Sequence, residues 1–441
     1  MLKSALMIEL QIEKLNHKGY GVSKKDGIEY WVLNSLPGEV VNAEIFKKKK
    51  GIRIGKSVNI ISQSQYRVEP SDLEIYQSTS PWQILDFAEE SVQKKLLIQS
   101  FYHEVNVSIP DFEIKTDGRE WKYRNKMEYS FYIDETNYIH LAFHKRDSRR
   151  GKAIVDTSSL VNDIFNSTAK DFEKHLNQSS IEIAQLKCVV VRSSNFEDKC
   201  IIALALKDKA TKIDLKFWAQ LLDKSYIKGV IFVYSDPRSP AFVETEILNQ
   251  IGETDLVESI AGKEFQYNYS GFFQVNPPMF DLILSDMKTI IGDRYLDKVL
   301  LDIYAGVGSI GISLSDNFRG VTGVELHPQS EEYALMNAKS NSIANYSFKQ
   351  GYAEKVLSSS DFDRDSLVLL DPPRSGLHPK IIKSLHQNGP EEILYMSCNP
   401  FTQAKDIEQL SGKYNVEEFN SYNFYPKTPH VESLALLKRA I

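Results

Sequence analysis

Three short segments hold residue types that could do covalent chemistry. Ile393–Pro400 carries an apolar run that ends in Ser397-Cys398-Asn399-Pro400. A cysteine in a turn at the end of a strand can attack an electrophile once its thiol ionises. Cys188 and Cys200 fall within apolar stretches and read as buried filler. Leu367–Leu370 is followed by Asp371-Pro372-Pro373-Arg374, and a helix is expected from Pro379. The two prolines stiffen that loop and aim Asp371, a carboxylate that needs a partner wherever it is buried. Near the end, Thr428-Pro429-His430-Val431-Glu432 precedes the β-type run Ser433–Lys438. If that last strand is antiparallel to its neighbours, Glu432 starts it at the rim where Cys398 ends its own. His430 and Glu432 then point the same way.

A fourth segment could hold a ligand. Val299–Tyr304 reads as a buried strand and leads into Ala305-Gly306-Val307-Gly308-Ser309-Ile310-Gly311. Glycines permit a tight turn and close approach of backbone to a ligand. Glu325 follows Gly306 at the end of the next expected strand, where an acidic side chain meets a ribose diol. The literal Gly-x-Gly-x-x-Gly pattern also fits a dinucleotide, and alone it is weak. Asp302, Tyr304 and the Asp371 loop suit S-adenosylmethionine better, because an acidic group near the cationic end is then useful.

One reaction uses all four segments. Uracil C5 is too weak a nucleophile to take a methyl group from a sulfonium. A thiolate added at C6 makes C5 enolate-like, and after transfer a base must remove the C5 proton so that the thiol can leave. Cys398 would be the nucleophile and Glu432 the base. Two other readings stay open: methylation of an amine on RNA or protein, with Cys398 incidental, and an RNA-binding protein without catalysis.

These segments need a scaffold of 441 residues to position them, which implies two or three domains. An alternation of strand and helix from residue 276 onward predicts a parallel, doubly wound Rossmann-like α/β domain over 276–441. Residues 63–275 read as an α+β domain with strands at 127–132, 140–143, 188–192, 201–205 and 229–233, and with helices at 161–176 and 213–222. A polar connector over 63–79 and a helix over 84–102 come before them. Residues 1–62 read as a small OB-like β-barrel of five strands, with Lys47–Lys50 at a hairpin tip.

No apolar run is long enough to span a membrane, and three cysteines are too few for a disulfide framework, so a cytoplasmic protein is expected. The net charge is −6, yet residues 1–60 carry 11 Lys/Arg against 6 Asp/Glu, and residues 118–152 carry 9 against 5. Two basic patches on an acidic body suggest selective contact with a polyanion.

Asp371–Gly376, Ser397–Pro400, Thr428–Glu432 and Gly271-Phe272-Phe273-Gln274-Val275-Asn276 resemble the RNA 5-methyluridine methyltransferases that carry an N-terminal TRAM domain. The resemblance runs over nearly the whole chain and includes Gly19-Tyr20-Gly21 and Leu36-Pro37-Gly38-Glu39 of the barrel. It implies Cys398 and Glu432 as catalytic residues. It also implies donor contacts from Gln274, Tyr304, Gly306, Gly308, Glu325 and Asp371. Arg124, Lys126, Lys145 and Arg146 match basic RNA-binding segments, and Phe272 and Phe273 would stack on extruded bases. The implied substrate is a flipped uridine, in 23S ribosomal RNA by preference and otherwise in transfer RNA, handled by a monomer. Many relatives bind an iron–sulfur cluster through cysteines after the barrel. Residues 63–100 contain none, so neither a cluster nor another metal is expected. Tyr352 stands where relatives often place Asp or Asn against adenine.

Overall fold

The structure, a computed structural model, describes residues 6–148, 150–239, 242–358 and 361–440. Lys3 and Arg149, which contribute to the basic patches, lie outside the described residues, as does Ile441 of the C-terminal region.

The N-terminal sheet has six strands where five were expected, in the order Leu6–Gln11, Val40–Lys49, Ile52–Ser62, Ile28–Leu33, Gly21–Lys25, Lys14–Leu15. Leu10, Ile12, Tyr30, Val32, Val41 and Ala43 form its core. The lysine run is mostly strand rather than hairpin tip. Lys47, Lys48 and Lys49 pair with Ile54, Arg53 and Ile52, and the turn is made by Lys50 and Gly51, both at positive φ. The connector is strapped down, because Arg67 donates from Nε to Glu39 Oε1 (2.6 Å) and from an Nη to Oε2 (2.9 Å).

The next helix runs Phe87–Glu104 and starts later than expected, because Asp86 caps the amides of Ala88 and Glu89. It belongs spatially with the C-terminal sheet, where Ile98 and Tyr102 join that sheet's core and Ile114–Lys115 adds an eighth strand. The chain thus visits the C-terminal unit before it builds the central one.

The central sheet orders Lys152–Ile154, Ile139–His144, Lys126–Ile133, Leu186–Ser194, Lys199–Leu206, Ile227–Tyr234 and Glu246–Gly252. Helix Asp163–Leu176 covers one face. The other face shares a continuous core with the hairpin Asp255–Ile260/Lys263–Asn268, helix Pro277–Ile291 and the C-terminal sheet.

That last sheet runs Tyr346–Gln350, Gly320–Glu325, Val299–Ile303, Ser366–Leu370, Glu392–Ser397, Glu432–Arg439, Tyr414–Tyr422, Ile114–Lys115. The first five are parallel, and Glu432–Arg439 is antiparallel to both neighbours. Both faces are covered: Leu300, Leu369 and Leu394 pack on one side, and Leu301, Leu370 and Ile393 on the other. This two-sided burial is why Leu367–Leu370 and Ile393–Met396 read as unbroken apolar runs. The strand order reverses direction at Val299–Ile303, which opens a crevice beyond the carboxyl ends there.

Candidate functional site

A cleft of about 560 Å³ occupies that crevice. Each parallel strand around it delivers a residue at its carboxyl end: Tyr304, Glu325, Asp371 and Cys398 all line the cleft. Glu432 enters from the opposite direction. Ser397 pairs with Ser433 in the antiparallel ladder, so Cys398 and Glu432 meet one step beyond it. Two residues far apart in sequence become neighbours through strand register alone.

The loop after Val299–Ile303 is shaped by backbone and by a buried acid. Tyr304 adopts φ +72°, a conformation that costs a residue with a Cβ roughly 1–2 kcal/mol. Its amide and that of Ala305 donate to Val324 O, at 2.8 and 3.0 Å, which pins the loop to the neighbouring strand. Gly306 lines the cleft and donates to Glu325 Oε2 (3.4 Å), while Glu325 Oε1 accepts from the amides of Leu326 and His327. Gly308, expected to touch the donor, does not line the cleft. It lies at φ +83° against Tyr346, and a Cβ there would sit 2.9 Å from the Tyr346 hydroxyl, so its task is to shape the turn. Asp302 Oδ2 accepts from Gly311 N–H (3.0 Å), and its Oδ1 has no partner among the described residues. Burial pushes this carboxyl up to about 7, with the Gly311 bond opposing and Glu325 adding to the rise.

The end of the cleft around Cys398 is crowded with like charge. Burial pushes Asp371 up to about 7, and Asp302 and Glu325 push the same way. Glu432 is 2% exposed, and burial followed by Asp371 holds it well above the ordinary carboxylate range, with Arg374 opposing. Cys398 is likewise driven up to about 12, by burial first and then by Glu432 and Asp371, and only Arg374 pulls it down. The thiol therefore rests protonated. A cation placed among these carboxylates relieves all of these shifts. The residues thus fit a cationic ligand, and a sulfonium is one.

The Asp371 loop and the cysteine turn are tied together. Asn399 Nδ2 donates to Arg374 O (2.9 Å), and Asp406 Oδ2 accepts from Leu377 N–H (2.8 Å) and from the Tyr395 hydroxyl (2.7 Å). Arg374 was quoted in the sequence motif without a role, yet it is the cation beside both Cys398 and Glu432. Tyr425 also lines the cleft, and no spacing in the sequence signals it.

The expected RNA and donor contacts separate into groups. Arg124, Phe272 and Gln274 line the cleft, as does Tyr352. Phe272 is 67% exposed, an apolar ring left open at the mouth. Phe273, expected to stack on a base, is core instead. It is 3% exposed and lies 4.2 Å from the Tyr267 ring, because the next residue in an extended segment faces the opposite way. Lys126, Lys145 and Arg146 lie outside the cleft. Lys126 is lowered to about 8 by burial and then by Arg192, and Lys145 is exposed. Arg146 donates to Lys18 O and lies 4.4 Å from the Tyr20 ring, so it clamps the N-terminal sheet to the central one.

One positioning residue gave no sequence signal. Arg192, fully buried, donates to the carbonyls of Asn268, Gly271 and Phe273 and so holds the loop that carries Phe272 and Gln274. Cys188 and Cys200 are buried in the core, where burial pushes both thiols up to about 12. Among the described residues no group of three or more potential ligands is placed to hold a metal, and no helix is long and apolar enough to cross a membrane.

Residues 86–440 match the family model for tRNA (uracil-5-)-methyltransferase. An uncharacterized RNA methyltransferase of Caldanaerobacter subterraneus subsp. tengcongensis is 28% identical over 453 residues, 98% of this chain and 99% of the relative. Another, from Staphylococcus aureus strain N315, is 28% identical over 443 residues, 96% of each. The crystal structure of the Pyrococcus abyssi tRNA (uracil-54, C5)-methyltransferase with S-adenosyl-L-homocysteine superposes with a TM-score of 0.74 at 22% identity, covering 98% of this chain and all of that one. A family match over most of the chain, a shared full-length fold and a crevice suited to a cationic donor agree. The chain belongs to the tRNA (uracil-5-)-methyltransferase family, as an S-adenosylmethionine-dependent enzyme acting on uracil C5 in RNA.

Proposed function

We propose that this enzyme methylates a uridine of 23S ribosomal RNA through a covalent bond from Cys398 to C6, with Glu432 as the base. The observation that carries this reading is the Ser397–Ser433 register, which sets the only thiol of the cleft beside a buried carboxylate. S-adenosylmethionine supplies a methyl group on a cationic sulfur.

The chain's own groups do the rest. Gln274, Tyr304, Gly306, Glu325 and Asp371 hold the donor, Glu325 at the ribose and Asp371 toward the charged end. Arg124 and the open ring of Phe272 receive the extruded uridine, and Lys126 and Lys145 meet phosphates farther along the strand. Cys398 Sγ bonds to C6 while its proton passes to ionised Asp371, and C5 becomes enolate-like. Once C5 carries the methyl group, ionised Glu432 removes the C5 proton and the S–C6 bond breaks. Asp371 then returns its proton to the sulfur and Glu432 releases its own to solvent. Ribosomal RNA is favoured because a six-stranded unit with an exposed lysine run precedes the catalytic region, which suits a large structured target. The name of the Pyrococcus protein makes transfer RNA the second candidate.

The test uses total RNA from cells lacking the gene and grown with 5-fluorouracil. Fluorine at C5 cannot leave as a proton, so wild type is expected to form a denaturation-resistant adduct, and Cys398→Ala none. Mapping the trapped RNA identifies the target. Methylation without any adduct would point to an amine acceptor, and donor-free RNA binding with no methylation would point to a noncatalytic protein.

A further inference from the structure

Cys398 has a second side. A chamber of about 130 Å³, roughly the room of four bulk waters, lies there and shares only Arg374 and Cys398 with the lining of the donor cleft. Its walls come from three parts of the molecule. His17 belongs to the N-terminal unit, Lys94 and Phe101 to helix Phe87–Glu104, and His430 to the segment before the last strand.

The chamber and the cleft are opposite in chemistry. Glu325, Glu354, Asp371 and Glu432 line the cleft, whereas among the described residues no carboxylate lines the chamber. Arg374 and Lys94 line it, although Lys94 is paired with Glu90 at 2.7 Å. His430, at its wall, is pushed down to about 3 by burial and then by Arg374, Lys94, Arg124 and Arg146, so it stays neutral and can donate or accept. A cationic donor has no partner here, while a neutral ring flanked by phosphates does.

The entrance is aromatic and held in place. His17 stacks on Phe401 with ring planes 4° apart, and Phe101 meets Phe401 edge-on at 5.5 Å. The turn carrying His17 is fixed by Asn16 Oδ1, which accepts from the amides of Lys18 and Tyr20. Gly19 abuts Pro81 so closely that a Cβ would lie 2.7 Å from Pro81 Cγ. The N-terminal unit is therefore seated with one ring at the rim of the reacting centre.

We propose that this chamber is a subsite for one base of the RNA beside the target uridine, received at the His17–Phe101 rim while the uracil lies on the donor side of Cys398. The inference rests on the reading of Cys398 as the nucleophile toward RNA. A strand opened to extrude one uridine leaves a neighbouring base unstacked within reach, and aromatic rings take such bases without reading their identity.

The test is radical footprinting of the full-length enzyme, with and without the adduct to 5-fluorouracil-substituted total RNA. His17, Phe101 and Phe401 are expected to lose at least fivefold in reactivity in the adduct and to be unchanged by S-adenosylhomocysteine alone. His17→Ala and Phe101→Ala are expected to slow adduct formation about tenfold, with the donor dissociation constant within twofold of wild type. An adduct that forms with Phe101 and Phe401 as reactive as before overturns the subsite, and so does protection of His17 alone, which would mean RNA crossing the rim without entering. Loss of donor binding in both variants would also overturn it, by revealing a structural role. Failure of wild type to form any adduct instead defeats the reading of Cys398 itself.

Discussion

The Cys398 cleft and the lysine run of the N-terminal sheet hold charge in opposite ways. Asp371 and Glu432, which line the cleft, and Asp302, which does not, are so buried that their own protonation is shifted, with Asp302 and Glu325 adding to the rise at Asp371 and Asp371 adding to it at Glu432. Along Val40–Lys49, the side chains of Lys47, Lys48 and Lys49 stand exposed while their backbone pairs with Ile54, Arg53 and Ile52. Charge in a low-dielectric crevice is costly, and it persists there when a ligand of opposite sign relieves it. Charge on an open surface costs little, is screened by salt, and acts on any polyanion. The first arrangement selects a ligand, and the second only gathers one.

That contrast can be broken at either end. The largest effect is expected from Glu432→Gln, which cannot take the C5 proton. Turnover should fall by about 10²–10⁴-fold, in line with loss of a general base, while protein–RNA adduct accumulates on ordinary RNA in denaturing gels. Rapid multiple turnover by this variant would remove Glu432 from the role.

Asp371→Asn should act on donor affinity and stability in opposite directions. Asp371 titrates near 7 when folded and near its ordinary value when unfolded, so the folded state binds its proton more tightly. Its contribution is most favourable below the unfolded value and is lost as pH rises through about 7. At pH 8 the donor-free variant should therefore melt a few degrees higher than wild type while binding S-adenosylmethionine at least tenfold more weakly. In wild type, the preference for S-adenosylmethionine over its neutral homocysteine product should grow severalfold between pH 6 and pH 8, as the carboxylates ionise. A ratio flat with pH would mean that the sulfonium lies away from this cluster.

The smallest effect is expected at the lysine run. Replacing Lys47, Lys48 and Lys49 with serine should weaken RNA binding severalfold at moderate salt and flatten its salt dependence by about 0.7 per lost single-strand phosphate contact. Donor affinity should not move. An unchanged salt slope would show that RNA takes another path.

Much of this organisation was legible locally. The strand segments Leu367–Leu370 and Ile393–Met396 were readable, because two-sided burial writes continuous apolar runs into a sequence. Asp371, Cys398 and Glu325 could be placed at carboxyl ends by the same logic. Local signals failed where an element's partner was distant. Helix Phe87–Glu104 looked like part of the central region, since only its packing on the last sheet assigns it elsewhere. Phe272 and Phe273 are the same residue type side by side, and only the fold sends one to the cleft mouth and the other against Tyr267. Arg192 and Tyr425 had no spacing to betray them.

Residue types and their order determined the reaction available to this chain: one thiol, one base and an acidic glycine loop at strand ends are properties of segments a few residues long. What tertiary structure alone decided is their protonation and company. A thiol pushed to about 12 and carboxylates pushed to about 7 arise from desolvation and from charges brought in by other strands. The chamber behind Cys398 draws its walls from distant parts of the chain, His17 of the N-terminal unit, Lys94 and Phe101 of helix Phe87–Glu104 and His430 before the last strand. Burial and proximity between distant segments are not written in any local window, because both depend on how the whole chain packs.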